Sequence, residues 1–328
     1  MSKSKGNIVD PFDLINQYGA DVIRFYLPYI SPVWTPIKFD MDGVKEVYSK
    51  YLSTFKNAYS FFEMYANADH LDPRKYNIPV FKRDVTDKWL ISRLNNVLKD
   101  ITAAYEEYDL NKVVHLVVDF LNDDLSNWYI RSNRRRFWES ELTESKKAVY
   151  LTTYEVLVAL CKITAPITPF ISEEIYQNLT DEDSVHLADF PKYDATLIDK
   201  ELEYRMNLVR DICSLGRNAR EDVSIKVRQP LNFMILQANN EALVSDMENI
   251  IKEELNIKEI VYKEDMSDYM DYIVKPNFRV VGKMLGNKMK DFQEAVSKLD
   301  INDVNMIKLG HYKLDFQGEE MDITEDMI

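Results

Sequence analysis

Residues 110–139 read LNKVVHLVVDFLNDDLSNWYIRSNRRRFWE, and the way this stretch folds decides much of the rest. Val114, Val117, Val118, Leu121 and Leu125 recur at three- and four-residue intervals, the period that gathers side chains on one face of an α-helix. A long helical segment over 110–139 is therefore predicted. Continuing the same wheel at about 100° per residue, Trp128, Arg131, Arg135 and Trp138 fall on or beside that face. The apolar stripe gives way to alternating indole and guanidinium groups. Arginine pairs bidentately with phosphate or stacks on a base, and tryptophan offers a stacking surface. Such a face suits single-stranded loop RNA, whose bases are splayed out. Arg134 belongs to the same basic block, whereas Arg136 projects elsewhere and reads as structural. The competing reading ties these arginines to Asp123, Asp124 or Glu139 and leaves the tryptophans in a core.

Helical patterns flank this segment at 84–108 and 143–165, with a shorter one at 171–179. Upstream, Val44, Val47, Tyr51, Phe55, Ala58, Phe62 and Tyr65 form a second apolar stripe within an aromatic-rich stretch. Nearer the start, Asp10-Pro11 is a helix-start signal, Gly19 fits the position past that helix's end, and Asp21 is placed to cap the next. The central chain reads as a bundle of four or five antiparallel helices. Beyond Pro191 the pattern changes: a helix over 200–220, strands at 231–237 and 259–262 around a helix at 241–255, then a strand at 274–281 and a helix at 283–299. The closing residues QGEEMDITEDMI suggest no regular element. The expected fold is mainly α: a helical bundle followed by a small α+β domain, divided at 1–40, 41–192 and 193–328.

Composition narrows the partners. The 328 residues carry 41 Lys and Arg against 55 Asp and Glu, a net charge of −14. Phosphates respond to local clusters rather than to this average, so one arginine-rich face on an acidic protein remains compatible with RNA. No apolar run is long enough to span a bilayer, and the polar N-terminus is unlike a signal peptide. Cys161 and Cys213 are far apart, lack metal-ligand spacing and read as reduced, packed thiols of a cytoplasmic protein.

The opening residues carry the most specific signal. MSKSKGNIVDPFDLINQYGADVIRFYL resembles the Lys-Met-Ser-Lys-Ser loop and following helices of class I aminoacyl-tRNA synthetases, with Met1, Ser2, Lys3 and Ser4 matching the motif after its first lysine. Gly6-Asn7, Asp10-Pro11 and the Tyr18-Gly19-Ala20-Asp21 turn extend the match. As an amino acid attacks the α-phosphate of ATP, charge grows on the departing pyrophosphate, and a mobile loop with a lysine and small hydroxyls can stabilise it. The resemblance implies that Lys3 contacts the ATP phosphates while Ser2 and Ser4 shape the loop. Further on, Gly43-Val44, Asn57 to Phe62, Asn127-Trp128-Tyr129-Ile130-Arg131, Asn133 to Arg136, Lys226 to Leu231 and Lys275 to Phe278 are similar to the isoleucine-specific enzymes, on their eukaryote-like branch.

That resemblance makes the bundle an anticodon-binding domain, with Trp128, Arg131, Arg134, Arg135 and Trp138 as tRNA contacts. The implied partners are isoleucine tRNA and the missing catalytic half of the same chain, with a monomer expected and no membrane. A whole enzyme of this kind is a ligase joining isoleucine to tRNA with ATP and magnesium. The motif's partner, His-Ile-Gly-His, and the editing insertion are absent, so this stretch alone is expected to be inactive and to hold no cofactor. Two cysteines exclude the family's four-cysteine zinc module. The equivalent region of a valine-type synthetase, and a non-enzymatic helical interaction module, are the alternatives.

Overall fold

The computed structural model describes residues 10–266, 269, 274–299, 301–316 and 319–328. It divides into two compact units, one of residues up to 232 together with 243–259, the other of 233–242 with 260–328. Ser2, Lys3 and Ser4 lie outside the described residues.

Local rules set the opening of the first unit. The Asp10 carboxylate accepts the Phe12 amide at 2.9 Å and caps α1 (Pro11–Tyr18), with Pro11 in the first turn. Gly19 follows at φ 87°, a left-handed conformation open to glycine, and its amide bonds back to the Ile15 carbonyl. Helix α2 (Ala20–Ile30) keeps Pro28 inside it. Side chains one helix away occupy the last α2 carbonyls: Asn111 donates to Pro28 at 2.6 Å and His115 Nε2 lies 3.0 Å from that of Tyr29.

Asp21 corrects the sequence reading. It sits one residue inside α2, buried, and caps a different helix: its carboxylate accepts the Phe170 and Ile171 amides at 3.4 and 2.7 Å, about 150 residues away. Burial raises its carboxyl above the ordinary value, against these amides and Arg24, which favour the charged form.

Next, α3 (Met41–Val47), a π-helical stretch (Tyr48–Ser53) and α4 (Thr54–Ala68) follow without a break. Val44, Val47, Tyr51, Phe55, Ala58 and Phe62 are all buried, as their spacing predicts, and Tyr65 is half-buried at the rim. Tyr51 stacks on Phe25 at 3.8 Å between centroids and shares a hydrogen bond with Thr168 at 2.6 Å. The remainder of the bundle is α5 (Val85–Glu106), α6 (Leu110–Asp119), a second π-helical stretch (Phe120–Ile130), α7 (Arg134–Trp138), α8 (Glu144–Thr164), α9 (Pro169–Leu179) and α10 (Lys200–Asp222). Helix α5 is the hub, packing on α6, α8 and α10 around a fully buried Trp89. Each large side chain so buried contributes roughly 2 kcal/mol relative to exposure.

After α10, β1 (Leu231–Gln237) and β2 (Ile257–Lys263) pair as a two-stranded sheet. The helix predicted over 241–255 is broken into α11 (Glu241–Val244) and α12 (Glu248–Leu255). The strand predicted over 274–281 is not formed. Asn277 instead caps α13 (Phe278–Leu285), accepting the Arg279 amide. Gly286, at φ 47°, separates α13 from α14 (Met289–Val296), so the helix predicted at 283–299 spans two elements. Helix α15 (Ile301–Lys308) and an antiparallel hairpin, β3 (Tyr312–Phe316) with β4 (Glu319–Ile323), complete this region. The acidic tail is therefore partly a strand. Leu314, Phe316 and Ile323 join Val281, Phe292, Val296 and Ile307 in one core.

Candidate nucleic-acid interface

The predicted helix over 110–139 is not uniform. Its turns widen to i→i+5 bonding over Phe120–Ile130, break at Ser132–Asn133 and restart as α7. A residue in the wider turn advances by less than the ~100° of an α-helix, so the wheel drifts between Leu121 and Trp138. The restart is locked by Asn133, which is buried: its amide donates to the Tyr129 carbonyl at 2.8 Å and its oxygen accepts Thr86 and Arg136.

Arg136 makes the strongest of these ties. It forks onto Asp87 at 2.9 and 2.7 Å, reaches Asp84 at 2.8 Å and bonds the Ser145 hydroxyl and carbonyl. Asp87 is fully buried and also accepts the Tyr129 hydroxyl at 2.5 Å. Burial, then the Asp87 charge, pushes that phenol well above its ordinary pKa, so Tyr129 is a donor here. Phe137 is buried against Phe61, Tyr65 and Tyr150. With residues 136 and 137 pinned inward, Arg134, Arg135 and Trp138 are left exposed.

The five candidate contacts thus have different fates. Trp128 is 5% exposed, and the Arg210 guanidinium lies 5.8 Å from its ring and 5.6 Å from that of Trp89. This corrects the sequence reading: an indole enclosed by α5 and α10 has no face free for a base. Arg131 is exposed and pairs with Glu254 at 3.4 Å. Arg135, 71% exposed, pairs with Glu253 at 3.0 Å. Arg134 makes no side-chain hydrogen bond or ion pair among the described residues. Trp138 is 57% exposed and donates its indole N–H to the Tyr65 hydroxyl at 2.7 Å, which fixes the ring edge and leaves the face open.

Of the three carboxylates considered as intramolecular partners, Asp124 is engaged with Arg93 and Arg210 and Glu139 with Thr143, while Asp123 is exposed. The actual partners, Glu253 and Glu254 of α12, lie more than a hundred residues downstream, and nothing in the sequence links them to Arg131 and Arg135. Tyr65 was legible only as one member of the aromatic stripe.

Away from this surface, a cavity of about 520 Å³ opens between the α1–α2 turn, α4 and α9, with Lys56, Tyr59, Glu63 and Glu174 on its walls. Among the described residues no group of three His, Cys, Asp or Glu side chains is arranged to hold a metal, and no helix is long and apolar enough to cross a membrane. Cys161 and Cys213 are unpaired and buried; burial lifts the Cys213 thiol to about 12.

Residues 87–235, which run from the first turn of α5 through α10 and include the whole basic turn, match the family described as "Anticodon-binding domain of tRNA ligase". Residues 1–40 match "tRNA synthetases class I (I, L, M and V)". Together the two matches run from a class I tRNA synthetase segment into an anticodon-binding domain. The relatives narrow the class. The isoleucine–tRNA ligases of Cytophaga hutchinsonii and Clostridium novyi are 40% and 41% identical over 99% of this chain, and that of Bacteroides thetaiotaomicron is 38% identical over 98%. The chain is similar to these isoleucine–tRNA ligases over nearly its whole length, and it spans 28–32% of their length. Among solved structures, a chain of the Agrobacterium radiobacter K84 agnB2 LeuRS–tRNA–LeuAMS ternary complex overlays with a TM-score of 0.47, 20% identity, and coverage of 61% of this chain and 23% of that one.

Proposed function

We propose that this chain is the tRNA-holding stretch of an enzyme that attaches isoleucine to its tRNA, with its RNA face formed by Arg131, Arg134, Arg135 and Trp138. The observation that carries the reading is the exposure of three guanidinium groups and one indole on a turn that the pairing of Arg136 with buried Asp87 holds in place. In this reading the guanidiniums bind phosphates and supply affinity, while Trp138 stacks on a base of the anticodon loop. Isoleucine tRNA is the substrate, and docking its anticodon arm places the acceptor end at a catalytic module elsewhere in the enzyme.

Residues 1–40, 41–192 and 193–328 act as signature segment, anticodon-binding bundle and accessory domain. Lys3, with Ser2 and Ser4, steadies the ATP phosphates, with magnesium as their counter-ion in the whole enzyme. The setting is cytoplasmic and the molecule monomeric. The test is binding of isoleucine tRNA across a salt series, with valine tRNA as competitor and Arg131→Ala plus Arg135→Ala as control. Selective, salt-sensitive binding weakened by the double variant supports the reading. Equal binding of both tRNAs would reduce it to a generic RNA surface, and no binding at low salt would refute it.

A further inference from the structure

We propose that Glu253 is a specificity-determining residue of this face: its carboxylate occupies the Arg135 guanidinium in the free protein, and an RNA phosphate must displace it to bind. The inference rests on the RNA-binding reading above and deepens it.

Two neighbouring acids of α12 do different work. Glu254 is 8% exposed and is shared by Arg217 at 2.6 Å and Arg131 at 3.4 Å, a buried carboxylate braced between two cations. Glu253 is 47% exposed and pairs with the still more exposed Arg135, at 3.0 Å. A pair so open to water is weakly held, and its guanidinium fork is shaped for phosphate as well as for carboxylate. Glu254 is a fixture, and Glu253 is exchangeable.

The placement of Glu253 is not left to a mobile element. A Cβ added to Gly216 on α10 would lie 2.4 Å from the Leu255 side chain, so α12 packs closely over this glycine. Arg220, buried at the end of α10, donates to the carbonyls of Leu255 at 2.6 Å and Asn256 at 3.3 Å and closes the C-terminal end of α12. Asn256, at φ 50°, ends that helix in the left-handed conformation. Helix α12 therefore presents Glu253 to Arg135 at a set distance.

The consequence is a filter. An RNA that offers only a phosphate exchanges one anion for another at Arg135 and gains little. A strand that also reaches the exposed Arg134 and stacks on Trp138 overcomes the exchange. Net charge at Arg135 is neutralised internally, so contact there releases fewer ions from the RNA than a free arginine would.

The experiment compares the full chain with Glu253→Gln, each titrated with oligouridylate and with isoleucine tRNA across a salt series. We expect Glu253→Gln to tighten oligouridylate binding about fivefold at low salt and to steepen its salt slope by about 0.7. The preference for isoleucine tRNA over oligouridylate should narrow accordingly. Adding Arg135→Gln should abolish the gain. An unchanged slope and preference in Glu253→Gln, with Arg131→Ala plus Arg135→Ala still weakening tRNA binding, would overturn the filter and leave the RNA face standing. A gain that survives Arg135→Gln would also overturn it, as a general charge effect. If neither protein binds either RNA, both readings fall.

Discussion

Arg135 and Arg136 are adjacent in the chain and opposite in physics. Arg136 lies in a closed network with Asp87, Asp84, Tyr129 and Ser145, where every partner is supplied by the protein. Arg135 stands in water and has one exchangeable carboxylate as partner. Identical side chains therefore divide the labour: one builds the turn, and the other is displayed by it. An arginine cluster in a sequence does not announce this division, because it depends on which carboxylates the fold brings from elsewhere.

The sharpest way to break the contrast is to open the closed side. Asp87→Ala removes the acceptor of a buried guanidinium and of the Tyr129 hydroxyl, and leaving such a charge uncompensated costs about 3–5 kcal/mol. Denaturant unfolding should show a loss of that size, with α7 disordered and RNA binding lost alongside. A loss below about 1 kcal/mol would mean that Arg136 finds other partners and that the turn needs no anchor.

The Asp21 contact extends the contrast to a buried carboxylate that serves two backbone amides. Asp21→Ala should cost about 2 kcal/mol, since it uncovers the amides of Phe170 and Ile171 at the start of α9. The sign of its pH dependence is set by the raised folded-state pKa. The stability that Asp21 contributes through protonation is fully present below its unfolded pKa and is lost as pH rises through the folded value. Relative to Asp21→Asn, the unchanged protein should thus lose stability between acidic pH and neutrality. The opposite trend in a pH series of unfolding curves would mean that the amide bonds outweigh burial.

A comparison of the two tryptophans comes next in size. Trp138→Ala should weaken binding of isoleucine tRNA by about 1–3 kcal/mol through lost stacking. Trp128→Phe, a change inside the core, should leave that affinity unaltered while lowering stability. Reversal of the two results in a binding titration would restore Trp128 to the RNA face.

The sequence carried the bundle because helical periodicity is a local property. The stripe from Val44 to Phe62 and the predicted helices over 84–108, 143–165 and 200–220 depend on spacing alone, and the structure has α-helices there. It did not carry the site, where two non-local facts decide the outcome. The π-helical stretch rotates the basic block relative to an α-helical wheel, while Trp128 stays with Leu121 and Leu125 on the buried face. The partners of Arg131 and Arg135 come from α12, and no pattern within 110–139 specifies them. The hairpin of β3 and β4 was legible in principle: Tyr312, Leu314 and Phe316 alternate, as do Met321 and Ile323, but the acidic residues between them obscured the period.

The smallest expected effect isolates the open side. Arg135→Ala removes an exposed ion pair, and its stability should stay within about 0.5 kcal/mol of the unchanged protein. Its affinity for isoleucine tRNA should nonetheless fall, with a shallower salt slope, because a displayed guanidinium matters to the ligand rather than to the fold. Unfolding and binding measured on one preparation separate the two quantities. If stability fell by several kcal/mol with no change in binding, Arg135 would belong with Arg136 among the structural arginines, and the division of labour between the neighbours would be lost.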